Sequence, residues 1–373
     1  MKFCCDCFKD SEIRNIIESI NNKDTCDIFN KQSDHIYDTE KHDSLIHNFE
    51  ALLDVYTPFC NTKFSNDESK AVKIKNDILE RWDIFSNKCN AENVYEIIKS
   101  ICAKKYTENP ELFDDNVIIE ELFNDGCKQE CSLLRNNSWD DFRENIIYHN
   151  RFHTTFFNTS VFKKFCLAIP KKYKKGSILY RGRISEKEGF PLDKMGCPEP
   201  KDSKDGRANA AGIKCLYLSS DADTAIKEVR AGVADYITIA SFELNEDIWV
   251  VDLKMIDEIS PFFLMDRQMS FVDYILNKEH LRKINNEMSK IVRKSDSKLD
   301  YVPTQYICDF IKSITIEENG SEIKIFKGVE YNSTLNKSGY NLAIFEPSVF
   351  KAISTEIYEV TFLKYKTDKL CKS

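Results

Sequence analysis

Apolar positions follow a helical period through the first part of the chain. In residues 12–20, Ile13, Ile16, Ile17 and Ile20 form one stripe. This spacing predicts an amphipathic helix, and no segment before residue 160 has the alternation typical of a strand. Further helices are predicted on the same ground at 45–56, 67–85, 94–101, 117–123 and 139–157.

After Gly176 the period becomes two, which is typical of half-buried strands. The alternation predicts strands at 177–183, 214–219, 236–244, 248–253, 328–333, 341–345 and 357–365. Helices are predicted among them at 221–231, 271–292 and 302–313. We therefore predict an α+β chain, with a helical N-terminal domain followed by a mixed α/β domain in which strands outnumber helices.

The change of period coincides with a basic stretch around Pro170. Its lysines are Lys163, Lys164, Lys171, Lys172, Lys174 and Lys175. Charge runs usually stay solvated, so we predict a linker and a domain boundary here, with an RNA-binding patch as the alternative. Three regions follow: a cysteine-containing segment over 1–35, a helical domain over 36–165 and a strand-rich domain over 175–370.

Composition narrows the class of protein. The 373 residues are 42% hydrophobic and 31% charged, as in globular proteins. The net charge of −8 argues against non-specific DNA binding. No apolar run has the roughly 20 residues of a membrane span, and the N-terminus lacks the apolar core of a secretory signal. With 14 scattered cysteines, these features predict reduced thiols in a cytoplasmic protein.

Three cysteines near the N-terminus have a spacing found in zinc sites. Cys4 and Cys7 form a Cys-x2-Cys pair, and Cys26 follows at a suitable distance. A second pair would need a ligand at Phe29, which cannot bind zinc. Cys5 and His35 are the substitutes that the sequence offers. Unpaired cytosolic thiols are the favoured interpretation, with a structural zinc as the alternative.

Other catalytic motifs are weak or absent. Arg143 and His149 have the spacing of an Arg–His pair used by some helical RNA nucleases, but two polar residues on an amphipathic helix are the favoured interpretation. The chain has no Gly-x-Gly-x-x-Gly, no phosphate-binding Gly-x4-Gly-Lys and no Gly-x-Ser-x-Gly. The sequence therefore does not favour a Rossmann-type dinucleotide-binding protein, a P-loop nucleotide-binding protein or a hydrolase with a nucleophile elbow.

The strand-rich half holds the strongest set of polar residues. Arg181 and Arg183 share one strand face, because side chains alternate along a strand. Arginine forks match pyrophosphate oxygens, and an aromatic ring such as Tyr217 can stack on a base. One carboxylate, Glu228, can stabilise positive charge on a sugar. Arginine, carboxylate and aromatic groups together suit an anionic dinucleotide.

Several ordered segments resemble the RES domain, a family named for its Arg, Glu and Ser. The segments are Tyr180-Arg181-Gly182-Arg183, residues 206–213, Leu216-Tyr217, residues 224–230, residues 301–306 and residues 328–333 followed by Asn341. The N-terminal Cys-x2-Cys-Phe is similar to the HEPN/RES region that precedes some RES domains. The resemblance implies a fold similar to ADP-ribosyltransferases, with two packed sheets and a cleft that binds NAD⁺.

The same resemblance implies an activity. RES enzymes cleave the bond between nicotinamide and ribose, with water or phosphate as acceptor, and many are toxins neutralised by an antitoxin. It assigns Arg207, Glu228 and Ser333 as the family Arg, Glu and Ser. It further implies NAD⁺ contacts by Arg181, Tyr217, Arg183, Asn209 and Tyr180. We expect Arg181 and Arg207 to clamp the pyrophosphate and Ser333 to orient the substrate.

Three alternatives stay open. The acceptor could be a macromolecule, which would make the chain an ADP-ribosyltransferase. The helical half could be a HEPN-like RNA nuclease using Arg143 and His149, with the other half as a nucleotide sensor. The third alternative is an NAD-binding module without activity. A trigger or antitoxin protein and a second copy of the chain are the expected protein partners, and anti-phage defence is an expected role.

Overall fold

The computed structural model describes residues 1–64, 67–265, 267, 269–290, 297–318 and 320–364. Its strands are β1 Lys2–Cys4, β2 Asp24–Cys26, β3 Lys31–Ser33, β4 Ile36–Asp38, β5 Thr57–Pro58, β6 Val72–Lys73, β7 Asn116–Ile118, β8 Pro170–Tyr173, β9 Ile178–Ser185, β10 Leu216–Ser219, β11 Tyr236–Leu244, β12 Ile248–Asp252, β13 Thr315–Glu318, β14 Ser321–Lys324, β15 Phe326–Asn332, β16 Tyr340–Ile344 and β17 Phe350–Glu359.

Its α-helices are α1 Ser11–Glu18, α2 Ile46–Leu53, α3 Ile74–Arg81, α4 Ala91–Ile101, α5 Ala103–Glu108, α6 Pro110–Asp114, α7 Asp125–Cys131, α8 Trp139–Glu144, α9 Thr159–Ala168, α10 Ala222–Val229, α11 Pro261–Met265, α12 Phe271–Ser289 and α13 Val302–Ser313. In the described part of the chain, no helix combines the length and apolarity that crossing a bilayer requires.

The chain forms two compact units. Unit 1 comprises Met1–Asn137 and Glu258–Glu279, and unit 2 comprises Ser138–Asp257 and His280–Ser373. The first boundary between the two units therefore lies after residue 137. Unit 1 also includes the later segment Glu258–Glu279. The predicted regions 1–35, 36–165 and 175–370 describe the sequence and stay predictions.

Unit 1 is mainly helical, as the apolar spacing predicts. Helix α1 begins at Asp10, whose carboxylate accepts hydrogen bonds from the backbone N–H groups of Glu12 and Ile13, and it buries Ile13 and Ile17. A carboxylate at this position satisfies backbone donors that the first helical turn leaves free. The amphipathic stripe then packs into the core of the unit.

The prediction of no strand before residue 160 is wrong. Strands β1 to β7 lie there, for example β1 paired antiparallel with β4 and β2 with β3. Each has two or three residues, too few to show a period of two. For the same reason the predicted helix at 117–123 is instead strand β7 and a short 3₁₀ helix at Glu120–Phe123.

Unit 2 contains one mixed sheet of eight strands in the order β17-β11-β9-β10-β16-β15-β12-β8. The mixed α/β class is confirmed. The two packed sheets that the resemblance implied are here two halves of one sheet. They are joined between β9 and β10 by a single residue pair, Tyr180 with Ser219. Because the two strands diverge beyond this pair, a cleft can open between the halves.

The predicted basic linker is wrong. Residues 163–175 contain the end of α9 and the edge strand β8. Helix α9 buries Val161, Phe162 and Phe165. In β8, Lys171 Nζ lies 2.8 Å from Glu330 Oε1, and this glutamate is fully buried. Lysine at a sheet edge pairs with acidic neighbours, so a charge run in the sequence did not mean an unstructured segment.

Candidate active site

A cleft of about 460 Å³ lies where β9 and β10 diverge. Its lining comes from the two strands, from α10, from the loop before β10 and from β15 and β16. The lining residues are Arg181, Gly182, Gly206, Arg207, Tyr217, Leu218, Ser219, Ala225, Glu228, Val229, Arg230, Tyr301, Tyr331 and Asn341. This volume is within the usual range of about 300–1,000 Å³ for small-molecule sites.

Glu228 is the carboxylate of this cleft. Helix α10 carries it, and the helix begins at Asp221, whose Oδ1 accepts from the Thr224 N–H at 2.8 Å. Glu228 Oε1 accepts from Ser333 Oγ at 2.6 Å and from Asn341 Nδ2 at 2.8 Å. Two donors on one oxygen fix the orientation of the carboxylate.

The two donors are themselves held. Ser333 Oγ accepts from the backbone N–H of Asn336 at 3.1 Å, so its hydroxyl hydrogen is free to point at Glu228. Asn341 Oδ1 accepts from Ser219 Oγ at 2.9 Å. Ser333 is buried and does not line the cleft. Its place is behind the carboxylate, whereas the sequence suggested that it orients the substrate.

Arg181 is a half-buried cation on the wall of the cleft. Among the described residues, its Nε and Nη1 atoms are buried and have no hydrogen-bond partner. Burial lowers the pKa of its guanidinium, because removing water disfavours the charged form. A guanidinium with unpartnered donors offers a site for an anionic group.

Arg207 and Arg183 have other contacts. Arg207 lines the cleft, while its Nη1 and Nη2 donate to the carbonyls of Met288 and Lys290 at the end of α12. Arg183 is outside the cleft lining; its guanidinium stacks on Phe190 at 4.1 Å from the ring centroid. The alternation rule put both β9 arginines on one face, but along β9 the lining of the cleft ends at Gly182.

Tyr217 and Asn209 shape the loop before β10. Tyr217 Oη accepts from the Ala208 N–H at 2.9 Å and donates to Asn209 Oδ1 at 2.7 Å. Tyr217 lines the cleft, and Asn209 lies beyond its lining. Gly206 fits beneath the tyrosine, because a Cβ there would lie 2.4 Å from Tyr217 Oη. Burial raises the pKa of Tyr217, which keeps its hydroxyl protonated as a donor.

Tyr180 does not line the cleft. It packs against the buried cluster of Ala225, Ile237 and Ile239. The cleft thus brings together Glu228, Arg207, Arg181 and Tyr217 of the residues singled out from the sequence. Ser333 supports it from behind, and Arg183, Asn209 and Tyr180 are outside its lining.

Several other residues that line the cleft were assigned no role from the sequence. Asn341 and Ser219 complete the hydrogen-bonded chain to Glu228. Tyr331 and Tyr301 add aromatic surface, and burial raises the pKa of Tyr331. A buried asparagine in a strand was the available signal, because a buried amide needs partners.

The alternative nuclease pair is not assembled as a site. Arg143 donates to Asp300 in an ion pair. His149 is exposed at the end of a π-helix at Asn145–His149 and lines a shallow depression that does not include Arg143. The ion pair leaves Arg143 directed at a carboxylate of its own chain.

The cysteines of the predicted metal site do converge. The sulfur atoms of Cys4, Cys7 and Cys26 all lie within 4.8 Å of one another, and the three residues are buried. All 13 cysteines in the described part of the chain are free thiols.

A family model for the RES domain matches residues 180–363. This chain contains a RES domain. The match begins in β9 and includes the strands, helix and loops that line the cleft. No curated protein and no solved structure matches the chain.

The RES domain is consistent with a family of enzymes that act on NAD, and it suggests a toxin-type function. The matched region includes Arg207, Glu228 and Ser333. The similarity of the N-terminal segment to a HEPN/RES region lies outside the match and stays a prediction.

Proposed function

We propose that this RES-domain protein cleaves the bond between nicotinamide and ribose in NAD⁺. One observation carries the proposal: in a single cleft, a carboxylate fixed by two donors shares the walls with a guanidinium whose Nε and Nη1 are buried and have no hydrogen-bond partner among the described residues. The pairing suits a substrate with a negative pyrophosphate and a sugar carbon that becomes positive.

Arg181 is our candidate for binding the pyrophosphate. A phosphate oxygen would give its buried Nε and Nη1 the partners that they lack among the described residues. Arg207 borders the same cleft and adds positive charge there. Tyr217 and Tyr331 supply aromatic surface for one of the two bases.

Glu228 is our candidate catalytic residue. As the C1′–N bond breaks, its electron pair goes to the nicotinamide nitrogen, which leaves neutral, so no general acid is required. The ribose carbon gains positive charge, and the carboxylate stabilises it. Water then bonds to C1′ and loses a proton, giving ADP-ribose; with phosphate as acceptor, the product is a phosphorylated ADP-ribose.

The proposed cellular role is depletion of NAD⁺ as a toxin or as an effector of anti-phage defence. Such an enzyme needs restraint by an antitoxin, a trigger or self-association. Transfer of ADP-ribose to a macromolecule uses the same cleft and is the second candidate for the acceptor. Radiolabelled NAD⁺ distinguishes it, since transfer leaves label on the macromolecule.

The test is incubation of the purified full chain with NAD⁺, with and without phosphate, followed by chromatography of the products. We expect free nicotinamide from the native chain and a loss of about 100-fold or more in rate for Glu228→Gln. Asp223→Asn is the matched control, because Asp223 is an exposed carboxylate on the same helix and is paired with Lys227. Equal rates for native protein and Glu228→Gln would exclude the assignment.

A further inference from the structure

Three cysteine thiols in unit 1 have the separation that a tetrahedral metal site requires. Cys7 Sγ and Cys26 Sγ are 3.9 Å apart. With zinc–sulfur bonds of about 2.3 Å, the edge of a tetrahedron is about 3.8 Å. A disulfide would instead need about 2.05 Å. Together with Cys4, all within 4.8 Å, these sulfurs form one face of a tetrahedron.

Cys89 is the residue that the sequence pattern lacked. It is buried, and its Sγ lies 3.5 Å from the carbonyl oxygen of Cys7. The thiol donates to that carbonyl, and the Cys89 sulfur is not within 4.8 Å of all three of the other sulfur atoms. It therefore lies beside the three-sulfur group, although it is far from Cys26 in the sequence.

The backbone brings Cys89 to this position. The N–H of Ser86 donates to Cys7 O at 2.9 Å, and the N–H of Cys89 donates to Ser86 O at 3.0 Å. Phe8 and Phe85 form a β-bridge just before this turn. The turn at 86–89 is thus fixed against the Cys-x2-Cys pair by main-chain bonds.

Cys5, one of the two substitutes that the sequence offered, belongs to a different environment. Its thiol interacts with the side chains of Arg14 and Glu18, and Arg14 Nη1 donates to the Cys5 carbonyl at 3.1 Å. Among the described residues, the Cys5 sulfur is not part of the group of sulfur atoms that all lie within 4.8 Å of one another. It serves instead as a matched control.

The surroundings suit bound thiolates. Lys31 is close enough to interact electrostatically with Cys4 and Cys26. This cation offsets part of the negative charge of a four-thiolate site.

We propose that Cys4, Cys7, Cys26 and Cys89 bind one structural zinc ion as four thiolates. Binding replaces the thiol protons with four zinc–sulfur bonds and leaves no open position for a substrate. The ion would connect β1, the β2–β3 hairpin and the 86–89 turn of unit 1. This site is separate from the NAD cleft and independent of the proposed activity.

The first experiment measures zinc in the full chain after purification without chelator, by mass spectrometry of the metal. We expect one zinc per chain, and a zinc-edge X-ray absorption spectrum with four sulfurs at about 2.3 Å. The proposal would be overturned if the protein retained no zinc after zinc was added and the sample was dialysed. It would also be overturned by a zinc shell of three sulfurs and one nitrogen, which would favour His35 as the fourth ligand.

The second experiment uses variants. Cys89→Ser should weaken zinc binding by more than about tenfold, while Cys5→Ser should leave it unchanged. Cys89→His distinguishes the loss of a zinc ligand from a folding defect. If Cys89 is a ligand, this variant should still bind zinc, with a shell of three sulfurs and one nitrogen. An unchanged four-sulfur shell in Cys89→His would show that Cys89 is not a ligand.

Discussion

Ser333 and Asn341 both donate to the same oxygen of Glu228, at 2.6 and 2.8 Å. Donors that are already in place need no reorganisation when charge develops on the substrate. Each donor is anchored to a strand or its immediate end, so the carboxylate is held by the sheet as much as by its own helix.

Ser333→Ala should lower kcat for NAD⁺ cleavage by about 10- to 100-fold with little change in KM. The reason is that Ser333 contacts Glu228 and does not line the cleft. Steady-state rates of nicotinamide release measure both constants. Ser348→Ala is the control, since Ser348 is exposed. A raised KM with unchanged kcat would mean that Ser333 contacts the substrate instead.

Arg181→Met should change the stability of the fold and the affinity for NAD⁺ in opposite directions. Two guanidinium nitrogens that are buried without a partner among the described residues destabilise the fold, so we expect the free energy of unfolding to rise in Arg181→Met by about 1 kcal/mol or more. NAD⁺ affinity should fall sharply, because the unpartnered Nε and Nη1 are lost. Thermal unfolding and calorimetric titration measure the two effects. Arg183→Met should not raise stability, since its guanidinium stacks on Phe190; retained NAD⁺ affinity in Arg181→Met would contradict our assignment.

At the scale of elements, Gly182 determines how closely α10 packs on β9. A Cβ there would lie 2.9 Å from the Ala225 carbonyl oxygen and 2.9 Å from Val229 Cγ1. Backbone of the helix cannot move aside without moving Glu228, which lies between these two residues in the sequence. The absence of a side chain at Gly182 therefore allows the close packing of α10 on β9 that positions Glu228 in the cleft.

Gly182→Ala should destabilise unit 2 by about 1–3 kcal/mol and reduce NAD⁺ cleavage as α10 shifts. Gly196→Ala is the control, because a Cβ there meets nothing within 4 Å. Denaturant unfolding measures the stability and nicotinamide release measures the activity. Identical behaviour of the two variants would show that the contact between helix and strand tolerates a methyl group.

Elements with enough residues to show a period were predictable from the sequence. Strand β11 at Tyr236–Leu244 and helix α13 at Val302–Ser313 have the predicted bounds. The short strands of unit 1 could not be predicted from the sequence, because two or three residues are too few to show an alternation of apolar and polar positions. In the site, residue chemistry predicted Glu228 and Arg181, whereas the partnership of Glu228 with Asn341 depends on the pairing of β10 with β16.

At the scale of the whole molecule, the charge distribution argues against nucleic acid. The net charge is −8. Within the basic stretch, Lys171 pairs with Glu330 and Lys172 with Asp247, so part of its positive charge is already compensated. Nucleic-acid affinity depends mainly on cations free to meet phosphates.

We therefore expect no binding of DNA or RNA by the full chain at about 0.15 M salt, measured by fluorescence anisotropy with labelled oligonucleotides. Lys171→Glu together with Lys172→Glu should leave this result unchanged. Binding that weakens steeply with salt, and disappears in this double variant, would restore the basic stretch as an RNA-binding patch.

Glu228 and its two donors lie far apart along the chain. Ser333 is 105 residues beyond the carboxylate, and Asn341 is 113 residues beyond it. During synthesis from the N-terminus, the ribosome releases Glu228 long before the strands that carry its donors. A nascent or prematurely terminated chain that ends before residue 333 lacks both. The cell that makes this protein is therefore not exposed to an assembled candidate site until the ribosome has passed residue 341.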